Sequence, residues 1–388
     1  MPRRPEVSPT TATLSEAVFA PLAAKAGPGN RPVHPLHVGD TWREPLEAAR
    51  AEAQRAADHP KLHNYAPVQG EPALRDAIAD TLRARTAPAP PAEQIQVVPG
   101  ATAGLSVVCN ALLDPGDEVL LPAPFWPLIR GIVAARGARA VQVPFFDRVD
   151  APGFDPERAL ERAVTDRTAA LYLNSPHNPT GRILPPDVVD AMLRVAHRHD
   201  LWVLCDQAYE DLWFGDAAPA PVWSHPGARG RAVACHTLSK SHGLAGARVG
   251  WVHGPAPAMD AIRGLQTFQT YCAARPMQLA AVRALREGEG WVREARRLYA
   301  EAGRAAAAAV GVPAPEGGTF LFFDASPHLK AGEEDCRPLL ERCLAAGVML
   351  TPGASCGKAY RRWARLSFTA VPPEELRQAL EQLRHVLG

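Results

Sequence analysis

Short apolar runs alternate with amphipathic stretches along most of the chain from about residue 94 onward. The apolar runs predict buried strands, and the stretches between them have the apolar spacing of helices. Parallel strands need crossover connections, and helices on both faces bury them. The pattern therefore predicts an α/β fold with a mostly parallel, seven-stranded sheet between helices. The strand segments are QIQVVPG, DEVLLPAP, ARAVQVPF, TAALYLNSP, LWVLCDQAY, RAVACHTL and RVGWVHG.

The pattern changes at about residue 285, where a long stretch rich in Ala, Arg and Glu begins. It is followed by three apolar runs, in GGTFLFFDAS, GVMLTPG and WARLSFTA, which predict strands of a smaller α+β unit. We expect a large domain at residues 46–284, and a small domain formed by residues 1–45 and 285–388. The first residues resemble a targeting peptide only weakly, because their apolar part is short and contains a proline. We expect them to form an arm that packs on the body or on a partner subunit.

The composition is that of a globular protein with a small-molecule role. Of the 388 residues 47% are hydrophobic and 21% charged, and the formal net charge is +1. This balance favours neither a nucleic acid nor a membrane as partner, and no apolar run approaches the roughly 20 residues that span a bilayer. The seven cysteines are scattered and lack CxxC spacing, so we expect no disulfide framework, no metal site and a cytoplasmic location.

The segment HTLSKSHGLAGARVGW, residues 236–251, places Lys240 among small residues and near Arg248. A lysine in a semi-enclosed site with positive neighbours has a lowered pKa and can form a Schiff base, although an isolated lysine is usually a surface residue. Arg248 has a rigid cationic fork that suits phosphate, and so do the free N–H groups of the strand-to-helix turn PGATAG at residues 99–104. No nucleotide-binding glycine motif follows a predicted strand.

A second group of polar and aromatic residues follows other predicted strands. Asp206 ends the apolar run LWVLCD, where a buried carboxylate needs a cation such as a protonated pyridine nitrogen. Tyr209 and Asn178 could reach an oxygen on the same ring, and Trp126 offers a flat stacking face. The alternatives at this point are a helix N-cap for Asp206 and a core aromatic for Trp126.

Ten segments in a fixed order resemble the class I/II pyridoxal-phosphate-dependent aminotransferases, the fold type I family built around aspartate aminotransferase. The similarity covers nearly the whole chain, and two departures are small: Thr237 stands where Ser or Gly is usual, and Trp126 follows Phe125 where many members have one Tyr. The segments are LHVGD, YAPVQGEPALRDAIA, VVPGATAGL, LLDPGDEVLLPAPFW, NSPHNPTGR, CDQAYEDL, TLSKSHGLAGARVGW, GGTFLF, TPGASCG and WARLSF.

The resemblance implies pyridoxal 5′-phosphate as cofactor and three catalytic residues. Lys240 would bond covalently to the cofactor and later move the proton of the substrate Cα. Asp206 would pair with the pyridine nitrogen, and Tyr209 with the 3′-oxygen. The residues expected at the phosphate are Gly100, Ala101, Thr102, Thr237, Ser239 and Arg248.

The resemblance also implies how the ring and the substrate are held. Trp126 would stack on the ring, and Asn178 would donate to its 3′-oxygen. Arg365 would clamp the substrate carboxylate with help from Asn178 and the backbone of Gly39. Tyr65 would cross a homodimer interface to the phosphate of the partner subunit, so that the two active sites are shared.

The implied reaction moves an amino group from an L-amino acid to a 2-oxo acid in two halves, through pyridoxamine phosphate. The same residue set also serves β-lyases and cyclases or synthases of secondary metabolism. A DNA-binding regulator is disfavoured because only about 35 residues precede LHVGD, and an inactive member of the fold would require Lys240 to be idle. Selection of the substrate side chain is expected from the loops around residues 39–42, Phe125 and His242 and from residues 268–273 of a partner subunit. Trp42, Phe125 and Phe268 favour aromatic or medium-sized apolar substrates.

Overall fold

A seven-stranded sheet forms the centre of the computed structural model, which describes residues 32–388 together with Ser8, Thr10 and Leu14. The strand order is β1-β7-β6-β5-β4-β2-β3. Strand β7 is antiparallel to both of its neighbours, and the other pairs are parallel. The strands are β1 Gln96–Val98, β2 Glu118–Ala123, β3 Arg139–Pro144, β4 Thr168–Asn174, β5 Trp202–Asp206, β6 Ala232–Thr237 and β7 Gly250–His253.

Helices cover both faces of this sheet, because its central strands are buried on both sides. Strands β2 and β6 have no exposed residue, as expected for apolar runs in a parallel sheet. Apolar side chains of α3, α4 and α7 pack on one face, and those of α5 and α6 on the other. The helices up to this point are α1 Glu47–Glu52, α2 Pro72–Arg85, α3 Gly100–Leu112, α4 Pro127–Ala135, α5 Pro156–Glu161, α6 Pro186–Arg198 and α7 Ala256–Gln269.

The C-terminal part forms a three-stranded antiparallel sheet of order β8-β10-β9 with its own apolar core. The segment after residue 32 joins this part, since the N–H of Ser367 donates to the carbonyl of Leu36 at 2.7 Å and that of Trp42 to Thr369 at 2.8 Å. The elements are α8 Arg275–Glu287, α9 Glu289–Val310, β8 Phe320–Asp324, α10 Arg337–Ala345, β9 Thr351–Pro352, β10 Trp363–Ser367 and α11 Pro373–Leu387.

These elements confirm the predicted fold class, and one strand is shorter than the sequence indicates. The run GVMLTPG keeps only Thr351–Pro352 as a strand, because Val348 pairs instead with His34. The predicted boundary between the two domains stays a prediction, and most of the expected N-terminal arm, residues 1–31, lies outside the described residues. No helix in the described part of the chain has both the length and the apolar character to cross a membrane.

Candidate active site

A cavity of about 210 Å³ lies at the carboxyl ends of the parallel strands, between the large sheet and residues of the small one. The ends of β4, β5 and β6 lead directly to Asn178, Asp206 and Lys240. All site residues predicted from the sequence except Gly100 and Tyr65 line this cavity. They are Gly39, Ala101, Thr102, Trp126, Asn178, Asp206, Tyr209, Thr237, Ser239, Lys240, Arg248 and Arg365.

One end of the cavity is built to hold an anion. Helix α3 begins at Gly100, and the N–H groups of its first turn have no partner within the helix. The Arg248 guanidinium lies against this turn, because a Cβ atom on Gly100 would stand 2.7 Å from Arg248 Nη2. The hydroxyl oxygens of Thr237 and Ser239 are 2.8 Å apart beside it. We call these groups the anion cradle, and together they match a phosphate group.

The backbone of Arg248 supports this function of the cradle. Its φ of 52° and ψ of 50° lie in the left-handed region, which residues other than glycine seldom adopt. Its Nη1 donates to the carbonyl of Ala245 at 2.8 Å, and Nη2 is 3.5 Å from the carbonyl of Pro99. Among the described residues, these hydrogen bonds go to backbone carbonyls and leave the positive charge of Arg248 available for an anion.

Lys240 lies in the turn after β6, and its amino group points into the cavity, where Nζ donates to the carbonyl of Gly39. Burial lowers the pKa of Lys240, and the charges of Arg248 and Arg365 act in the same direction against that of Asp40. A lysine with a lowered pKa has a larger neutral fraction, and the neutral amine is the nucleophile and the base.

Asp206 is a buried carboxylate at the end of β5. The hydroxyl of Tyr172 donates to Oδ2 at 2.6 Å, and the N–H of Ala208 donates to Oδ1 at 3.1 Å. Burial raises the pKa of Asp206, while both hydrogen bonds oppose the rise. A carboxylate in this position would bind a cationic N–H group far more favourably than a neutral one.

Arg365, Asn178 and Tyr209 form a hydrogen-bonded row along another wall of the cavity. Arg365 Nη1 donates to Asn178 Oδ1 at 3.2 Å, and Asn178 Nδ2 donates to Tyr209 Oη at 3.1 Å. Burial raises the pKa of Tyr209 to about 12, and the charge of Asp206 adds to the rise, so its phenol stays protonated. The Arg365 guanidinium also lies over the ring of Phe320, 4.2 Å from its centroid. A buried arginine of this kind suits a carboxylate ligand.

Three of the side chains expected to select the substrate do not line the cavity. Phe125 is 1% exposed and packs in the core of the large sheet, because its N–H is tied to the carbonyl of Cys356 at 2.9 Å. Trp42 packs against the core of the small sheet. His242 is buried beside Ser241, 2.8 Å from its hydroxyl, and burial lowers the pKa of His242 to about 4.

Several residues at the site were not predicted from the sequence. Leu105, Leu128 and Phe320 line the cavity. Tyr172 does not line it, but its hydroxyl donates a hydrogen bond to Asp206, which does. One sequence signal was available for Tyr172, since a tyrosine inside a buried strand needs a partner for its hydroxyl.

Tyr65 lies outside the cavity, and its expected place at a subunit interface stays a prediction. Its side chain is 82% exposed, and its ring packs edge-on against Tyr271 with 5.0 Å between centroids. Phe268, another residue expected near the substrate, is 89% exposed on α7. The described part of the chain leaves these aromatic side chains uncovered.

A larger cavity, of about 580 Å³, lies beside α6 and α9. Its described lining is mostly apolar and rich in proline, and it includes none of the predicted site residues and no lysine. No cluster of His, Cys, Asp and Glu in the described part of the chain could hold a metal ion. Of these two cavities, the smaller one therefore contains the lysine, the buried carboxylate and the anion cradle described above.

Comparison of the sequence with known proteins gives a consistent result. The family model described as aminotransferase class I and II matches residues 32–383. The arginine–pyruvate transaminase AruH of Pseudomonas aeruginosa is 34% identical over 82% of this chain and 81% of its own length. The aspartate/prephenate aminotransferase of Thermus thermophilus is 33% identical over 91% of this chain and 90% of its own length.

Comparison of the structure agrees with that of the sequence. The aspartate aminotransferase of Thermus thermophilus with maleate superposes with a TM-score of 0.87 at 29% identity, covering 98% of this chain and 99% of that one. The N-succinyldiaminopimelate aminotransferase of Mycobacterium tuberculosis gives a TM-score of 0.88 at 28% identity, covering 98% and 100%. Both similarities extend over the large and the small sheet.

Proposed function

Because the chain belongs to the class I and II aminotransferases, which use pyridoxal phosphate to move an amino group between an amino acid and a 2-oxo acid, we propose that the cavity around Lys240 is the site of this transfer. One observation carries the proposal: Lys240, the buried carboxylate of Asp206 and the anion cradle share one cavity of about 210 Å³. The bound cofactor supplies a ring that withdraws electrons from the substrate Cα.

The residues present fit each functional group of the cofactor. The anion cradle would hold its phosphate, and Asp206 would pair with the ring nitrogen and keep it protonated. Asn178 and the protonated phenol of Tyr209 would donate to the ring oxygen. Trp126 would cover one face of the ring, and Lys240 would bond to the carbonyl carbon.

The protein's own groups then divide the work of the transfer. Arg365 binds the substrate carboxylate and fixes the orientation of the Cα–H bond. Once the substrate amino group has displaced Lys240 from the carbonyl carbon, the freed Nζ would take the proton from Cα and return it on the cofactor side, a role that its lowered pKa supports. Asn178 is bonded to both Arg365 and Tyr209, so it links the carboxylate clamp to the ring oxygen.

We propose an amino acid with an uncharged, apolar or aromatic side chain as the preferred substrate. The cations among the described lining residues are Lys240, Arg248 and Arg365, and the proposed roles use all three. The lining residues to which no role is assigned are all apolar, namely Leu105, Leu128, Ala208 and Phe320. A screen of donors should show turnover of leucine or phenylalanine exceeding that of aspartate and arginine.

We also propose a homodimer in the cytoplasm. The exposed rings of Tyr65, Phe268 and Tyr271, of which Tyr65 and Tyr271 are in contact, support a subunit interface, since exposed apolar surface marks interaction sites. All seven cysteines are free, which supports a reducing compartment. Sedimentation analysis should give twice the mass of one chain, and a monomer active at high dilution would contradict the shared site.

Replacement of the proposed attachment residue is the direct test. Lys240→Ala should abolish both the covalent chromophore formed with pyridoxal phosphate and the conversion of donor and 2-oxo acid. Lys330→Ala, which changes an exposed lysine outside the cavity, should leave both unchanged.

The same incubations separate transfer from the lyase alternative. Transfer converts the cofactor to pyridoxamine phosphate and requires a 2-oxo acid acceptor for turnover. Ammonia, pyruvate or thiol released without an acceptor would instead indicate elimination. Retention of the chromophore in Lys240→Ala would refute the proposed site.

A further inference from the structure

Asp206 receives a side-chain hydrogen bond from Tyr172, a residue in the middle of β4. The phenol oxygen is 2.6 Å from Asp206 Oδ2, and the two residues are 2% and 4% exposed. This distance is typical of an O–H group that donates to an ionised carboxylate. Tyr172 does not itself line the cavity, so any effect on the cofactor must act through Asp206.

We propose that Tyr172 is a positioning residue, which orients Asp206 and keeps it ionised for the ring nitrogen of pyridoxal phosphate. This inference rests on the proposed function of the cavity. In this proposal, a residue on the neighbouring strand keeps the carboxylate of Asp206 ionised.

The register of the two strands explains how the contact forms. In the parallel pair β4–β5, Asn174 lies opposite Asp206 and Tyr172 lies opposite Leu204. Tyr172 is thus two residues back from the opposing position, on the same face, and its long side chain reaches the carboxylate diagonally. The amide of Asn174 donates to the backbone carbonyl of Asp206 at 2.8 Å. The main chain and one carboxylate oxygen are therefore both fixed from β4.

The other groups around Asp206 do not replace Tyr172. Cys235 lies opposite Asp206 on β6, Tyr209 lies in the following turn, and Cys205 precedes Asp206 on β5 with its side chain on the other face of the sheet. Burial raises the pKa of each, so all three stay neutral. His236 on β6 favours the charged carboxylate, but its Nδ1 is 2.8 Å from Glu210. In the described part of the chain, Tyr172 is the side chain that donates a hydrogen bond to the carboxylate of Asp206.

The sign of the effect follows from this arrangement. Burial raises the pKa of Asp206, and Tyr172 and the N–H of Ala208 oppose the rise. Without the phenol the pKa rises further, so Asp206 becomes protonated at a higher pH. A neutral carboxyl group cannot pair with a cationic ring nitrogen, and cofactor binding weakens as the pH falls through that value.

The test is the affinity of the apoprotein for pyridoxal phosphate, measured across a range of pH. The pH at which the affinity falls on the acidic side of the profile should be about 1–2 units higher in Tyr172→Phe than in the unmodified protein. This is the range expected for the loss of one hydrogen bond to a charged group. Tyr360→Phe is the matched control, because Tyr360 also is buried and donates to a carboxylate, Asp147 Oδ1 at 2.7 Å, outside the cavity. Its profile should match that of the unmodified protein.

A second variant should shift the pH profile in the opposite direction, and it tests the proposal even if Tyr172→Phe folds poorly. Tyr172→3-fluorotyrosine keeps the shape of the ring and has a more acidic, more strongly donating phenol, so the affinity should fall at a lower pH. If the affinity fell at the same pH in the unmodified protein, Tyr172→Phe, Tyr172→3-fluorotyrosine and Tyr360→Phe, the proposed role of Tyr172 would be wrong. If the unmodified protein binds the cofactor on Lys240 and only the shifts are missing, the proposed function stands. If it forms no chromophore, the proposed function itself fails.

Discussion

Replacement of Arg85, a residue that does not line the cavity, should lower the free energy of unfolding substantially. Arg85 ends α2, and its guanidinium is 2.7 Å from Glu210 Oε2 and also bonds to Asp211. These two carboxylates directly follow Tyr209 in the chain. The side chain of Glu210 is 8% exposed, so its charge is mostly out of reach of water. Arg85→Met keeps most of the apolar stem but removes the cation.

The size of the loss follows from what remains around Glu210. Breaking a buried ion pair by removing one partner costs about 3–5 kcal/mol. His236 Nδ1 at 2.8 Å and Trp223 Nε1 at 3.2 Å would still bond to Glu210. Asp211, at 23% side-chain exposure, is partly solvated. We therefore expect a loss at the lower end of this range, a decrease of about 3 kcal/mol in the free energy of unfolding.

Urea unfolding of the apoprotein measures this loss without a contribution from cofactor binding. The midpoint should fall at an unchanged slope, which shows that the same surface is exposed on unfolding. Arg297→Met is the matched control, since Arg297 is 55% exposed and pairs with Glu301 at 2.6 Å on the surface of α9. It should lose less than about 1 kcal/mol. If Arg85→Met lost no more than this control, the network around Glu210 would not be the stabilising element inferred.

Two further predictions concern the same network and the anion cradle. Burial raises the pKa of Glu210, but the charges of Arg85 and His236 and the hydrogen bonds from His236 and Trp223 together outweigh it and bring the pKa to about 2. Because the unfolded value is about 4.3, this stability is present above that pH and is lost as the pH falls towards 2. Urea midpoints should therefore fall more steeply with acid in the unmodified protein than in Glu210→Gln, and parallel curves would contradict this. Gly100→Ala and Gly116→Ala both add a Cβ at positive φ, 81° and 96°, but only the first meets Arg248 within 2.7 Å while the second meets nothing within 4 Å. Only Gly100→Ala should weaken pyridoxal phosphate binding, by about tenfold or more, and equal binding by both would exclude the collision.

The sequence predicts those parts of the fold that depend on local pattern. The apolar spacing at residues 185–198 predicts a helix, and α6 is found at Pro186–Arg198, where Val188, Val189, Met192 and Val195 are buried. The central strands were located for a related reason, since each is a short apolar run. The site residues at the strand ends then come together through the topology of a parallel sheet.

The features that the sequence did not predict depend on partners far along the chain. Val348 leaves its predicted strand because it pairs with His34, and Phe125 turns into the core because its N–H bonds to Cys356. Tyr172 reads as one more apolar strand residue until the register with β5 places it beside Asp206. In each case the local pattern is compatible with two outcomes, and a tertiary contact decides between them.

The single reversed direction of β7 accounts for the position of the anion cradle. A parallel strand would begin at the opposite edge of the sheet from the active site, whereas antiparallel β7 begins at the edge where β1 and β6 end. Its first residue, Gly250, pairs with Val98 on one side and with Thr237 on the other. Arg248, two residues earlier, is thereby held between the start of α3 and the turn that contains Lys240. In the proposed function, the mostly parallel sheet thus presents the ends of β4, β5 and β6 to the cofactor ring, and its one antiparallel strand presents the cation for the phosphate.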